Sequence, residues 1–236
     1  MRRTVKAFAS FILVLLIAAA VLGAFWLGMV PQRWSPFSPL ELDKKPGWFA
    51  DAQLAALRRD PALCKAVLKA PFIDAVSVPD KPFTNQCGWR NAVRVASIGG
   101  TKVTVEPLTC EMAAAMSLWV TYELQPAALE ILGSKVVGIE DFGTFDCRKM
   151  AGNAQWQNVM SEHASANALD IAGFTLADGR KISVSKTWKG SGPEARFLHE
   201  IHARACRTFR VTLSPEFNAA HHDHLHFDRG VMWTCK

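Results

Sequence analysis

Four of the seven histidines, His221, His222, His224 and His226, fall within six residues near the C-terminus. Imidazole binds metals and changes charge near neutrality, so this bunching points to chemistry. Read as a strand, the stretch HLHFD sends Leu225 and Phe227 into a core, while His224, His226 and Asp228 share the opposite face. The segment from Ser161 to Asp170 supplies partners. From Asn167 onward it alternates as well, so Asp170 faces away from Leu169 and Ile171. A carboxylate on a buried sheet is costly unless it is paired or metal-bound, and a loop through Ser165, Ala166 and Asn167 can return His163 to its side. His163, Asp170 and one histidine of the C-terminal pair make three protein ligands. The fourth tetrahedral position then remains for water, as in a catalytic zinc site.

Other chemistries find less support. His199 and His202 stand three apart in HEIH, one residue short of the HExxH register that places two imidazoles on one helical face, and a helix surface is the simpler reading. There is no GxSxG elbow and no glycine-rich phosphate loop, and no cysteine sits in a CxxC pair.

The elements that must position these residues follow from periodicity and turn residues. Residues 49–70 read as one or two short helices broken before Pro61, and RNAVRVASI, GlyGly and TKVTVEPL as a strand hairpin. Residues 111–132 have the apolar content of a core helix, which Pro126 must kink or split. KVVGIEDFG, NALDIAGF and KISVSK read as strands, GPEARFLHEIHARACRTF as a helix, and HLHFD as the last strand. The order predicts an α+β domain with a small, mainly antiparallel sheet flanked by helices.

Residues 7–30 carry no charged side chain. As a helix they reach about 36 Å, enough for a hydrocarbon core of about 30 Å. With Arg2, Arg3 and Lys6 before it, residues 1–30 read as a cytoplasmic stub and inner-membrane signal anchor, with the remainder periplasmic; cleavage near Ala18 to Ala20 is the alternative, giving a secreted domain. Residues 31–47, with four prolines, read as a tether, and 48–236 as the domain. The formal charge of +6 falls to 24 basic against 21 acidic residues once Arg2, Arg3 and Lys6 are set aside, too weak for a nucleic-acid partner. Six cysteines beyond the anchor predict three disulfides in an oxidising compartment. Chain-neighbour pairing gives Cys64 with Cys87, Cys110 with Cys147, and Cys206 with Cys235.

The pattern Ser161-x-His163-x-x-Ala166-x-Ala168-x-Asp170 followed by His224-x-His226 is similar to the SxHxxGxAxD and HxH motifs of the LAS zinc peptidases, the group of lysostaphin-type endopeptidases, D-alanyl-D-alanine metallopeptidases and hedgehog domains. Together with CGWRNAVRV, LTCEMAAAMSLW, DCRKMAG and EHASANALDIAGF, in that order, the chain from about residue 46 more closely resembles the extensin-like C-terminal domain family. The resemblance implies a hedgehog- or D-Ala-D-Ala-peptidase-like fold, zinc ligands His163, Asp170 and His226, and His224 as proton carrier or transition-state stabiliser. Ala166 stands where the peptidases usually have glycine. The ExxH general-base glutamate of the dipeptidase branch is absent, and Asp223 occupies its place, three before His226, either as base or as a partner orienting His224. Arg148 resembles the upstream arginine that holds a substrate carbonyl or carboxylate, at a shorter spacing from His163. The implied activity is zinc-dependent hydrolysis of peptidoglycan peptides, as endopeptidase or carboxypeptidase. A zinc-stabilised domain that binds or scaffolds wall polymer without cutting it is the competing expectation. No protein partner is legible.

Overall fold

The computed structural model describes residues 2–31, 34–152 and 155–236. Helix α1 (Arg2–Trp26) contains a stretch, Lys6–Trp26, with a mean hydropathy of 2.7 and nothing packed on most of it, long and apolar enough to be a membrane span or a signal sequence. Beyond it the chain joins the folded domain early. Gln53 donates to the Ser35 carbonyl at 3.0 Å, Tyr122 to the Leu42 carbonyl at 3.2 Å, and Leu40 and Leu42, inside the stretch read as a tether, are buried in the core.

Two short helices follow, α2 (Ala50–Ala56) and α3 (Pro61–Val67). The second begins where proline and capping chemistry direct: Pro61 needs no donor in the first turn, and the Asp60 carboxylate accepts from the Leu63 amide at 2.9 Å. Strand β1 (Ile73–Ser77) precedes a small hairpin of β2 (Lys81–Thr84) and β3 (Cys87–Trp89). Then β4 (Ala92–Ile98) and β5 (Thr101–Thr109) form the expected antiparallel hairpin, turning at Gly99 and Gly100, whose φ of +55° and +83° only glycine adopts without strain.

Helix α4 (Cys110–Trp119) is buried at every residue. It passes through a π-helical turn, Val120–Leu124, into α5 (Gln125–Leu132). Pro126 lies in the first turn of α5. Having no N–H to give to the carbonyl four residues back, it accounts for the break that the sequence predicts there. After α5 come β6 (Val136–Gly143), β7 (Ala168–Leu176), β8 (Lys181–Ser183), α6 (Val184–Thr187), α7 (Pro193–Ala205), β9 (Val211–Leu213), β10 (Leu225–Asp228) and β11 (Thr234–Cys235). KISVSK is therefore a strand only to Ser183; the HLHFD strand, β10, starts at Leu225, one residue after His224, and is followed by β11 rather than being the last.

The main sheet runs β1-β4-β5-β6-β7-β10-β9-β11, with β8 on β7, nine strands among the described residues and larger than the small sheet expected. It is antiparallel except for β5 with β6 and β9 with β11. Helices α4, α5 and α7 cover one face. The Trp119 ring packs edge-on to Phe227, its indole donates to the Ile201 carbonyl at 3.1 Å, and Phe209 stacks on Phe227. Leu169, Ile171, Leu225 and Phe227 belong to this core, so the alternation along β7 and β10 leaves Asp170, His226 and Asp228 to the other face.

A charged network, invisible in the sequence, crosses the interior. Fully buried Glu111 accepts from Arg229 Nε at 2.8 Å and from Arg58 Nε at 2.6 Å. Asp51 accepts from Arg229 Nη2 at 2.6 Å and takes a bidentate pair from Arg210. Arg229 also donates to the Thr208 carbonyl, and Arg58 to the Arg229 carbonyl. The network therefore ties α2 and the start of α4 to the residue that follows β10.

All six cysteines are paired, with Cys206 to Cys235 as expected. The other two pairs correct the neighbour rule: Cys64 bonds Cys110, and Cys87 bonds Cys147. The reason is packing. Helix α3 lies against α4, whose first residue is Cys110, whereas the β2–β3 hairpin lies on the loop after β6, with Trp89 edge-on to Phe145 at 4.9 Å and the Lys81 ammonium over both rings.

Candidate metal centre

The register of two strands fixes half of the site. In the antiparallel pair β7–β10, His226 lies directly opposite Asp170, and His226 Nδ1 comes to 2.8 Å from Asp170 Oδ1. The third residue arrives from a single 3-10 turn, Glu162–Ser165, whose start is capped by Ser161 Oγ accepting from the His163 amide. The chain reverses at Ala166, with φ of +55°. Asn167 then bonds both the Glu162 carboxylate and Thr109 Oγ1 at 2.8 Å, locking the reversal. His163 Nε2 ends 3.2 Å from both Asp170 Oδ1 and His226 Nδ1. His163, Asp170 and His226 are all buried, and one ligand atom of each lies within 4.8 Å of the others.

Their partners decide which atoms face inward. His163 Nδ1 meets the Thr144 carbonyl at 3.1 Å, so that nitrogen carries a proton and Nε2 offers a lone pair. His226 Nε2 donates to Asp228 Oδ2 at 3.1 Å, leaving Nδ1 to the centre. Asp228 Oδ1 accepts the Gly230 amide, so both of its oxygens are used. In the protein alone, burial opposes a charge on His226, but the Asp170 and Asp228 carboxylates outweigh it and push its pKa up to about 9. Burial likewise opposes ionisation of Asp170, yet the two imidazoles hold its carboxyl far below the usual range. One proton shared by His226 and Asp170 still leaves the His163 Nε2 lone pair facing a carboxylate oxygen. A cation satisfies all three atoms at once, and two imidazoles with a carboxylate, each imidazole fixed by an outer acceptor, suit zinc.

His224 stands just outside the trio. Its Nε2 is 3.4 Å from Asp170 Oδ1, and its Nδ1 is bonded at 2.9 Å to Asp223 Oδ1. The Asp223 carboxylate is thus engaged in aiming the imidazole. Arg148 is half-exposed, paired with Asp146 at 2.8 Å, and lines a cleft of about 120 Å³ that His226, His221, Met150, Trp156 and Phe217 also line.

His221, in the histidine cluster but without an expected role, joins the site. Its ring centroid is 5.3 Å from that of His224 and 5.6 Å from that of His226. Its Nδ1 donates at 2.7 Å to Asn218 Oδ1, which also accepts the Ala220 amide. Burial, and then the neighbouring His226 and His224, push its pKa down to about 4. The sequence signal was its place three residues before the first, and five before the second, histidine of the HxH pair. Thr144 and the outer role of Asp228 had no comparable signal. His222 bonds the Ala219 carbonyl at the surface, and His199 stacks on Trp188 outside the site. His202, expected on a helix surface, is instead buried between Trp188 and Phe227.

Fold and site together define a disulfide-bonded domain of mixed helices and a mostly antiparallel sheet, carrying a buried two-histidine, one-aspartate donor set of which His226 also lines a cleft. Residues 62–236 match the model of the family described as extensin-like protein C-terminus, and the chain belongs to that family. Comparisons with curated proteins and with solved structures gave no match.

Proposed function

We propose that this protein is a zinc-dependent amide hydrolase, similar to the LAS peptidases, that acts on peptidoglycan peptides from the periplasmic face of the inner membrane. The observation that carries the reading is the convergence of His163 Nε2, Asp170 Oδ1 and His226 Nδ1 beside a cleft. A mostly antiparallel sheet with helices on one face is compatible with a hedgehog-like fold, and three disulfides with an exported domain.

Zinc held by His163, Asp170 and His226 would supply Lewis-acid polarisation of the scissile carbonyl and acidify water. The protein's own groups do the rest. His224, with Nδ1 held by Asp223, presents Nε2 beside the donor set, where it takes a proton from the attacking water and returns it to the leaving amine. Because its carboxylate is occupied by His224, Asp223 acts in this scheme as the orienting partner rather than as the base. Arg148, on the rim of the cleft, offers its guanidinium to a substrate carbonyl or carboxylate. Met150, Trp156 and Phe217 line an apolar wall that limits water around the reacting amide.

The test uses the zinc-loaded full chain with muropeptides, read by mass spectrometry. Wild type should cleave an amide, and His224→Ala should keep zinc and fold while losing about 10² to 10⁴ in turnover, the usual contribution of a positioned acid or base. Alanine at His163, Asp170 or His226 should each strip the metal. A wild type that sediments with wall sacculi but cleaves no muropeptide in any zinc-loaded preparation refutes the hydrolase reading, leaving a zinc-stabilised wall-binding domain. Activity of a C-terminal reporter in the cytoplasm would refute the orientation.

A further inference from the structure

The junction between α1 and the domain carries large aromatic side chains with almost no cover. Trp26 is 89% exposed, Trp48 85% and Phe37 78%, with Leu27 and Met29 beside them. Soluble surfaces scatter such residues singly; a contiguous group of them marks a binding surface. Here they fall into two close pairs on the same short segment. Trp34 and Trp48 have ring centroids 5.9 Å apart, and Phe37 packs edge-on to Phe25 at 6.3 Å. Phe37, Ser35 and Ser38 line one hollow with Leu22, Gly23, Phe25 and Trp26.

Phe25 and Leu22 belong to the apolar stretch Lys6–Trp26. At about 1.5 Å per residue, a ring level with Phe25 and Leu22 lies within roughly one turn of the end of that stretch, on its apolar side. Phe37 therefore lies alongside the helix rather than beyond its end. On the domain side the same segment is fixed, since the Ser35 carbonyl accepts from Gln53 and Leu40 is buried. From Ser35 onward the described chain is therefore held by the domain. Tryptophan is the residue that favours the headgroup layer, where its ring is half in hydrocarbon and its N–H meets water.

We propose that the domain is docked flat on the lipid bilayer through Trp26, Trp34, Phe37 and Trp48, with the phospholipid headgroup layer as the partner of this surface. The proposal rests on the reading of α1 as a retained membrane anchor. It restricts the proposed hydrolase to substrate presented close to the membrane, because a docked domain cannot range over the length of a tether.

The experiment uses the full chain reconstituted in phosphatidylethanolamine and phosphatidylglycerol vesicles. Trp48→Phe is compared with wild type, so that the difference isolates Trp48. That difference should be quenched by phospholipid carrying a nitroxide near the glycerol end of the acyl chain, and should be several-fold less accessible to aqueous iodide than a free tryptophan analogue. Phe37→Ser should shift the Trp48 component toward iodide. A Trp48 component reached freely by iodide and untouched by labelled lipid, in protein that resists an alkaline wash, would overturn the docking and leave the anchor standing. Shielding from both quenchers would assign the surface to a second copy or another protein and overturn the proposal. Release of the protein by the alkaline wash would overturn the anchor and the docking together.

Discussion

The Asp228→Asn substitution tests the site through an atom that never touches the metal position. Asp228 Oδ2 accepts from His226 Nε2 at 3.1 Å and Oδ1 from the Gly230 amide at 2.8 Å, and the side chain is buried. Asparagine has the same shape but one acceptor oxygen. Either the imidazole N–H or the Gly230 N–H must then face an NH₂ group, and the negative charge that makes His226 a strong donor is gone. Loss of one charge-assisted buried hydrogen bond is worth about 1.5–3 kcal/mol. Outer partners of ligating histidines commonly contribute 10- to 100-fold in metal affinity, or about 1.4–2.7 kcal/mol, in the same range. Zinc affinity, measured by competition with a chromophoric chelator at fixed pH, should weaken by that factor while circular dichroism and the three disulfides are unchanged. Wild-type zinc affinity in a folded Asp228→Asn protein would refute the assignment of His226 Nδ1 as ligand atom.

Further outcomes follow from the packing and the titrating groups. Arg229→Leu leaves Glu111 charged and half-paired in the core, which should cost about 3–5 kcal/mol, seen as a fall in Tm of roughly 6–20 °C at 2–4 °C per kcal/mol for a domain of this size; a fall under 2 °C would show the network to be dispensable. Replacing Cys87 and Cys147 by Ser together should remove about 4 kcal/mol in the loop-entropy model and loosen the Thr144 to Arg148 loop, so zinc affinity should fall with stability; unaltered zinc binding would separate that loop from the site. In metal-free protein, His221 and His202 are held below the unfolded value by burial, so the unfolded chain gains protons first and stability should fall from pH 6.5 toward 4. His226 is held above it, at about 9, so stability should also fall from pH 6.5 to 9, each group giving up to about 1.4 kcal/mol per pH unit. Zinc bound at the proposed site would displace the His226 proton and should abolish the alkaline decline; a metal-free stability flat from pH 6.5 to 9 would refute the His226–Asp170–Asp228 charge arrangement.

Period-two alternation made the inner part of the site legible. Leu169 and Ile171 had to enter a core, so Asp170 had to leave it, and the same reasoning placed His226. The antiparallel register that sets His226 opposite Asp170 is a tertiary fact, and only the motif hinted at it. Glu111 and Arg229 stood 118 residues apart, each unremarkable in its own segment. Their burial depends on a partner that local patterning cannot supply. The neighbour rule for disulfides failed for a related reason: Cys110 opens a helix that packs on α3, and Cys147 lies under the β2–β3 hairpin, so contact followed layers rather than chain order. Arg148 and Asp223 were identifiable only by resemblance, and their partners Asp146 and His224 explain their orientation.

The pairing of Cys64 with Cys110 and of Cys87 with Cys147 is interleaved along the chain. A domain threaded outward from its N-terminus exposes Cys64 and Cys87 before either true partner emerges. An oxidant acting on the emerging chain would join those two first, and the bond would have to be exchanged once Cys110 and Cys147 appear. Biogenesis of this protein on the export reading thus calls for an isomerase as well as an oxidase. Cells lacking disulfide isomerisation should accumulate a form carrying the Cys64–Cys87 bond, in which the loop bearing Thr144 and Arg148 is untethered from the hairpin.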